Sequence, residues 1–97
     1  MASYPKTKKR EYPYKGIHLR YDVIRQPDGG EILIAKHNGY EGVIIPKGRN
    51  GHSMNQMATW YVRDKYGLEV NRGNTSMGWS KDAIRRTFYR LDKGRIE

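Results

Sequence analysis

Three short apolar segments separated by turn sequences restrict the fold of this 97-residue chain more than any other feature. Residues 17–23 alternate apolar and polar side chains, the period of two expected of a strand with one buried face. The sequence QPDGG at 26–30 predicts a turn, because proline presets φ and glycine accepts positive φ. Two more short strands are predicted at 31–37 and 42–46. Together these segments predict a three-stranded antiparallel meander.

A helical period follows the meander. Ser53 is a candidate N-cap, and apolar residues at 54, 57, 58 and 61 recur at i, i+3, i+4 and i+7. Gly67 fits the C′ position that ends such a helix. Residues 69–78 are predicted to be a loop, because they are rich in polar and turn-forming residues.

A second helix is predicted at the C-terminal end of the sequence. Ser80 is its candidate N-cap, Ile84, Phe88 and Leu91 form one apolar stripe, and Gly94 marks its end. The predicted fold class is therefore α+β, with a three-stranded antiparallel meander followed by two helices.

The charge of the chain is unevenly distributed. The formal net charge is +9, from 19 Lys and Arg against 10 Asp and Glu. Residues 1–16 hold five bases and one acid, residues 17–70 seven and six, and residues 71–97 seven and three. We predict a flexible basic and aromatic arm at 1–16 and a single small α+β domain at 17–97, with both basic ends contacting polyanions.

Several chemistries lack the residues they need. The chain has no cysteine, and its three histidines show no metal-ligand spacing with one another or with acids. We expect no enzymatic activity, no metal and no cofactor. No apolar stretch approaches the ~20 residues of a membrane span, so we expect no membrane contact and a cytoplasmic, nucleoid-associated protein.

The segment 46–70, PKGRNGHSMNQMATWYVRDKYGLEV, resembles the box of Nudix pyrophosphohydrolases, in which a glycine-rich loop leads into a helix carrying several metal-binding glutamates. At the matching positions this chain has His52, Trp60-Tyr61 and Asp64-Lys65. One carboxylate is too few to hold Mg²⁺ in such a site. The resemblance therefore implies at most an inactive Nudix-like protein.

The loop itself offers another use. Lys47 and Arg49 lie among small residues, and the N–H groups of a following helix would favour an anion. We predict a phosphate anchor here, with an ordinary turn as the alternative.

Residues 79–97, WSKDAIRRTFYRLDKGRIE, resemble the recognition helix of winged helix-turn-helix proteins, with the predicted 53–66 helix as its partner. The resemblance implies a helix lying in the major groove of DNA. The alternative is a solvated amphipathic helix, against which we set the lack of compensating acids at i, i+4. The predicted nucleic-acid-binding residues, including those of the arm, are Lys6, Lys8, Lys9, Arg10, Lys47, Arg49, Lys81, Arg85, Arg86, Tyr89, Arg90 and Lys93.

These features favour a small non-enzymatic nucleic-acid-binding protein, a DNA-binding regulator of phage or mobile-element type. Duplex DNA is favoured as the partner, with RNA as an alternative, and a homodimer is compatible with the sequence. The second hypothesis is a protein that binds an acidic protein surface and inhibits or redirects a host nucleic-acid enzyme. Trp60, Trp79 and Tyr89 are the aromatic residues that such an interface would use, although both tryptophans could equally fill the core.

Overall fold

A computed structural model describes residues 17–27, 29–48 and 55–94 of the protein. These residues form one five-stranded antiparallel sheet, with the strands side by side in chain order, followed by one helix. The class is α+β, but the predicted number of elements, three strands and two helices, is wrong. The elements are β1 (Asp22–Arg25), β2 (Glu31–His37), β3 (Tyr40–Pro46), β4 (Met57–Arg63), β5 (Glu69–Ser76) and α1 (Met77–Asp92).

The helix predicted between Ser53 and Gly67 is the main error. Its central part is strand β4, in which Ala58, Trp60 and Val62 are buried at a period of two. The sequence MATWYVR is rich in β-branched and aromatic residues, which fit a pleated, half-buried surface. The spacing of Met57, Ala58 and Tyr61 does not describe a buried face, because Met57 is exposed.

The loop predicted at 69–78 is also wrong, because most of it is the edge strand β5. This strand has few apolar residues, since only one of its faces packs against the protein. Gly73 lies opposite Trp60, and a Cβ at this position would stand 2.7 Å from the indole Nε1. Gly73, which was predicted to belong to a loop, is therefore the position where the Trp60 indole packs against the strand backbone.

Helix α1 begins directly after β5 at Met77, and its N-cap lies four residues before the predicted N-cap Ser80. Ser76 is the N-cap, and its Oγ accepts a hydrogen bond from the Trp79 N–H at 3.5 Å. Ser80 is fully buried inside the helix. The stripe that contains Ile84 and Phe88 is buried, as the periodicity predicted.

Residues 17–21 precede the first strand and do not belong to it, so the predicted strand at 17–23 begins too early. Ile17 is nevertheless buried in the core, and Tyr21 packs beside α1. The core lies between the sheet and the helix. Its buried members are Ile17, Leu33, Ile44, Ala58, Trp60, Val62, Met77, Ile84 and Phe88.

Helix α1 covers one face of the sheet, and the opposite face carries no element among the described residues. We call this second surface the open face. Strand alternation and cross-strand register assign to it Asp22, Ile24, Ile32, Ile34, Lys36, Glu41, Val43, Ile45, Met57, Thr59, Tyr61, Arg63, Glu69, Arg72 and Asn74.

Candidate nucleic-acid interface

Aromatic and cationic side chains lie on the solvent-facing side of α1. The buried positions Met77, Ser80, Ile84, Thr87 and Phe88 fix which side of the helix meets the sheet. At 100° per residue, the opposite side is defined by a second set of positions. This outer face of α1 consists of Trp79, Asp82, Arg86, Tyr89, Arg90 and Lys93.

The two tryptophans have different roles. Trp60 is 7% exposed and belongs to the core, whereas Trp79 is 66% exposed on the first turn of α1. Arg86 follows Trp79 by seven residues and Arg90 by eleven, so the three side chains lie along nearly one line on the helix. The sequence alone did not decide which tryptophan is exposed, because the start of the helix was misplaced.

One carboxylate moderates the charge of the outer face. Asp82 accepts a hydrogen bond from Arg86 at 3.1 Å and lies 4.0 Å from the guanidinium of Arg85. The prediction that no acid compensates these bases at i, i+4 is therefore wrong, because Asp82 precedes Arg86 by four residues. Arg90 and Lys93 form no ion pair among the described residues, although Lys93 lies 5.5 Å from the Tyr89 ring. Positive charge is consequently concentrated toward the last two turns.

Lys81 and Arg85 lie on the flank of α1 that faces Tyr21. The Lys81 ammonium is 5.4 Å from the centre of the Tyr21 ring. Burial raises the pKa of the Tyr21 phenol, and the positive charge of Arg85 partly opposes the rise. Tyr21 is therefore neutral at physiological pH, and its ring contacts the Lys81 ammonium.

The predicted phosphate anchor does not precede a helix, contrary to the expectation. Lys47 follows β3, and its backbone N–H donates to the Met57 carbonyl at 2.9 Å. The connection that begins there joins two strands, so it does not lead into a helix. It reaches the start of α1 instead, where the Met77 N–H donates to the Gln56 carbonyl at 2.7 Å.

Not all the predicted contact residues come together. Arg86, Tyr89, Arg90 and Lys93 share the outer face of α1, with Lys81 and Arg85 on its flank. Lys47 lies near the first turn of the helix and away from the last two turns. The predicted contacts that lie outside the described residues are Lys6, Lys8, Lys9, Arg10 and Arg49.

The open face contains an aromatic and cationic group that the sequence reading missed. Tyr61 lies between Arg63 and Arg72, whose guanidinium carbons are 5.1 and 6.0 Å from its ring centre. Each arginine also contacts a carboxylate, Glu41 at 3.8 Å and Glu69 at 2.7 Å. Only recognition of β4 and β5 as paired strands could have revealed this group. Its charges are balanced, unlike those of α1.

The last turn of α1 is fastened to the β2–β3 turn. His37 Nε2 lies 2.7 Å from Asp92 Oδ2, and the Asn38 amide donates to Oδ1 at 2.8 Å. The His37 ring also stacks on Phe88, with 5.4 Å between the ring centres. Burial of Asp92 raises its pKa, but the hydrogen bonds from His37 and Asn38 outweigh that effect and leave the pKa below its ordinary value of 3.8.

This cluster predicts acid-sensitive stability. Because the folded-state pKa of Asp92 is lowered, its stabilising contribution is present above pH 3.8 and is lost as the pH falls through the folded-state value. The Asp92→Asn variant should unfold more easily than the native protein at pH 7, by up to ~1 kcal/mol for this partly exposed pair. Urea unfolding between about pH 7 and about pH 2.5 should show the difference closing below about pH 4. A difference that stays constant over this range would contradict the assignment.

Comparisons with known proteins add no relative: no family model, curated protein or solved structure matches the chain. Residues 57–63 are a strand, so the central part of the helix on which the Nudix-like and winged-helix-like resemblances both relied is absent. Within 17–27, 29–48 and 55–94, no group of three or more acidic or histidine side chains could hold a metal ion. No helix in those ranges has the length and apolar character needed to cross a membrane.

Proposed function

We propose that this protein is a non-enzymatic nucleic-acid-binding protein that contacts duplex DNA through the outer face of α1. The observation that supports the proposal most is the contrast between the two sides of the molecule. The segment from Lys81 to Lys93 has five bases against two acids, Asp82 and Asp92. On the open face, by contrast, Arg63 and Arg72 are each paired with a glutamate. A phosphate backbone is attracted to the side with the excess of positive charge.

The dimensions of α1 suit a groove. Its 16 residues extend about 24 Å, and a helix of this kind fits the ~12 Å width of the major groove. The sheet lies behind the helix, so the outer face can approach DNA without obstruction from the described strands. Arg86 and Arg90 can reach guanine edges or phosphates, and Lys93 can reach a neighbouring phosphate.

The proposal includes a regulatory role of phage or mobile-element type. Sequence specificity would come from whichever of Arg86, Tyr89 and Arg90 meets base edges, because phosphate contacts carry little sequence information. The basic residues of the 1–16 segment would add backbone contacts beyond those of α1.

One observation favours a second candidate, binding to an acidic protein surface. Trp79 is a large exposed aromatic beside arginines, and Trp and Arg are enriched among residues that dominate protein interfaces. Affinity capture from a lysate treated with nuclease separates the candidates. A stoichiometric protein that stays bound after the nucleic acid is destroyed, and that is lost in Trp79→Ala, would support the second candidate.

The deciding experiment is an anisotropy titration of duplex DNA, single-stranded DNA and RNA at several salt concentrations. If α1 and the N-terminal segment together neutralise ~6–8 phosphates, log K should fall against log[salt] with a slope of about −5 to −7, and duplex DNA should compete best. Trp79 adds an independent readout, because DNA on the outer face should shield its fluorescence from iodide while the buried Trp60 is unaffected. Absence of binding to any nucleic acid at low salt would remove the proposal.

A further inference from the structure

The open face differs from the rest of this basic protein because its charges cancel. Its bases are Lys36, Arg63 and Arg72, and its acids are Asp22, Glu41 and Glu69. The whole chain has a net charge of +9. A polyanion would gain little from this neutral surface, so a partner of the open face would differ in its chemistry from that of α1.

The open face is divided into an apolar half and a charged row. The apolar half lies toward the β1–β2 turn, where Ile24, Ile45 and Met57 are 44%, 38% and 49% exposed. At the other end, cross-strand pairing places Lys36, Glu41, Arg63 and Glu69 next to one another on successive strands. Read from β2 to β5, the row is positive, negative, positive, negative.

We infer that the open face binds a second copy of the same chain. A two-fold axis parallel to the strands and passing between β3 and β4 stacks two such sheets face to face. It places β2 over β5 of the other copy and β3 over β4. Lys36 then faces the partner's Glu69, and Glu41 faces the partner's Arg63. An alternating row of four charges is complementary to itself under this rotation, as an interface between identical subunits requires.

The same axis keeps the apolar halves together, because it does not reverse the strand direction. Ile45 of β3, which is 38% exposed, lies over β4 of the other copy. Sheets stacked in this way leave ~10 Å for their interleaved side chains. Because the axis passes between β3 and β4, strand β1 lies beyond the edge of the partner's sheet. The four overlapping strands, ~4.8 Å apart and ~20 Å long, contribute roughly 400 Å² per copy, so the pair buries roughly 800 Å². That area is below the ~1,000 Å² of a stable interface and fits a weak dimer that dissociates on dilution.

The arrangement also separates the remaining positive charge of the two copies. Each α1 lies on the far side of its own sheet, so the outer faces point away from each other. The dimer therefore leaves both outer faces exposed. This inference does not depend on nucleic-acid binding, since it uses only the charges and apolar residues of the open face.

The test is sedimentation equilibrium of the full chain over a wide range of concentration. The native protein should show a reversible monomer–dimer equilibrium with a micromolar dissociation constant. Glu41→Arg alone and Arg63→Glu alone should each weaken the dimer at least ~10-fold, because each places like charges opposite each other across the interface. Arg90→Glu makes the same charge change as Arg63→Glu on the outer face of α1, and it should leave the dimer intact.

Mixing the two single variants gives the sharper result. In a mixed pair, the arginine introduced at position 41 of one chain faces the glutamate introduced at position 63 of the other. The second contact joins the native Arg63 of the first chain to the native Glu41 of the second, so both intermolecular contacts are again of opposite charge. Within each variant chain, positions 41 and 63 have like charge, so an intramolecular effect cannot produce the recovery. The mixture should form a heterodimer with close to native affinity, detected by native mass spectrometry.

Three results would overturn the inference. One is a protein that stays monomeric up to ~1 mM. Another is a dimer indifferent to both single variants, which would place the contact elsewhere. The last is loss of DNA binding in Arg63→Glu with retention in Arg90→Glu, which would assign the open face to nucleic acid. A dimer without DNA binding would refute only the proposed function, and DNA binding by a strict monomer only the present inference.

Discussion

Replacing both Arg86 and Arg90 by glutamate is expected to lower the affinity for duplex DNA at least ~100-fold at about 0.1 M salt. Each arginine contact contributes about 1–3 kcal/mol, and each glutamate adds repulsion from the phosphates. The slope of log K against log[salt] should become shallower by about 2, because two fewer phosphates are neutralised. Anisotropy titrations at four or more salt concentrations measure both quantities.

The matched control for this variant makes the same charge change on the face of the sheet opposite α1. Arg63 and Arg72 lie on this open face, in β4 and β5. Their double substitution by glutamate should reduce affinity less than ~10-fold, at protein concentrations where only monomer is present. Asp82→Asn should instead raise the affinity for duplex DNA, since it removes the acid that contacts Arg85 and Arg86. Equal losses in the two double variants would indicate a diffuse charge effect and contradict a specific outer face.

Local signals were sufficient for the first two hairpins and for the buried stripe of α1. The turn after β1 is marked by Pro27 and glycine, and the β2–β3 turn by Asn38 and Gly39, both of which have positive φ. Ile84 and Phe88 have helical spacing, and no strand pattern competes with it. In these segments local propensity and final packing agree, so the sequence was informative.

The predictions for residues 57–76 were wrong because the structure of this segment depends on neighbours distant in sequence. Met57, Ala58 and Tyr61 satisfy a helical period by chance, while burial of Trp60 depends on its packing against Gly73 of the next strand. A short stretch of sequence, read by its periodicity, does not include both Trp60 and Gly73. The basic residues of α1 were predicted from periodicity alone, but the open face required two strands that the pattern did not reveal.

Gly42→Ala is expected to destabilise the protein by about 1–3 kcal/mol, one of the largest effects of a single methyl group on this fold. Gly42 faces α1 from the centre of the sheet. A Cβ there would stand 2.5 Å from Ile84 Cγ2 and 3.2 Å from Phe88 Cζ, and both side chains are fully buried. The helix must therefore shift away from β3, against the lower backbone entropy of the unfolded alanine variant, which alone would be stabilising. Urea unfolding followed by circular dichroism measures the change.

A double-mutant cycle identifies the steric cause. Ile84→Ala alone should cost about 2–5 kcal/mol through the cavity it leaves, but in the Gly42→Ala background it should cost less, because the new methyl group enters that cavity. Gly67→Ala provides the control, since its Cβ has no neighbour within 4 Å and its cost comes from a φ of 86°. That substitution and Ile84→Ala should add independently. Additive free energies for Gly42 and Ile84 would mean that α1 does not approach β3 as closely as the structure requires.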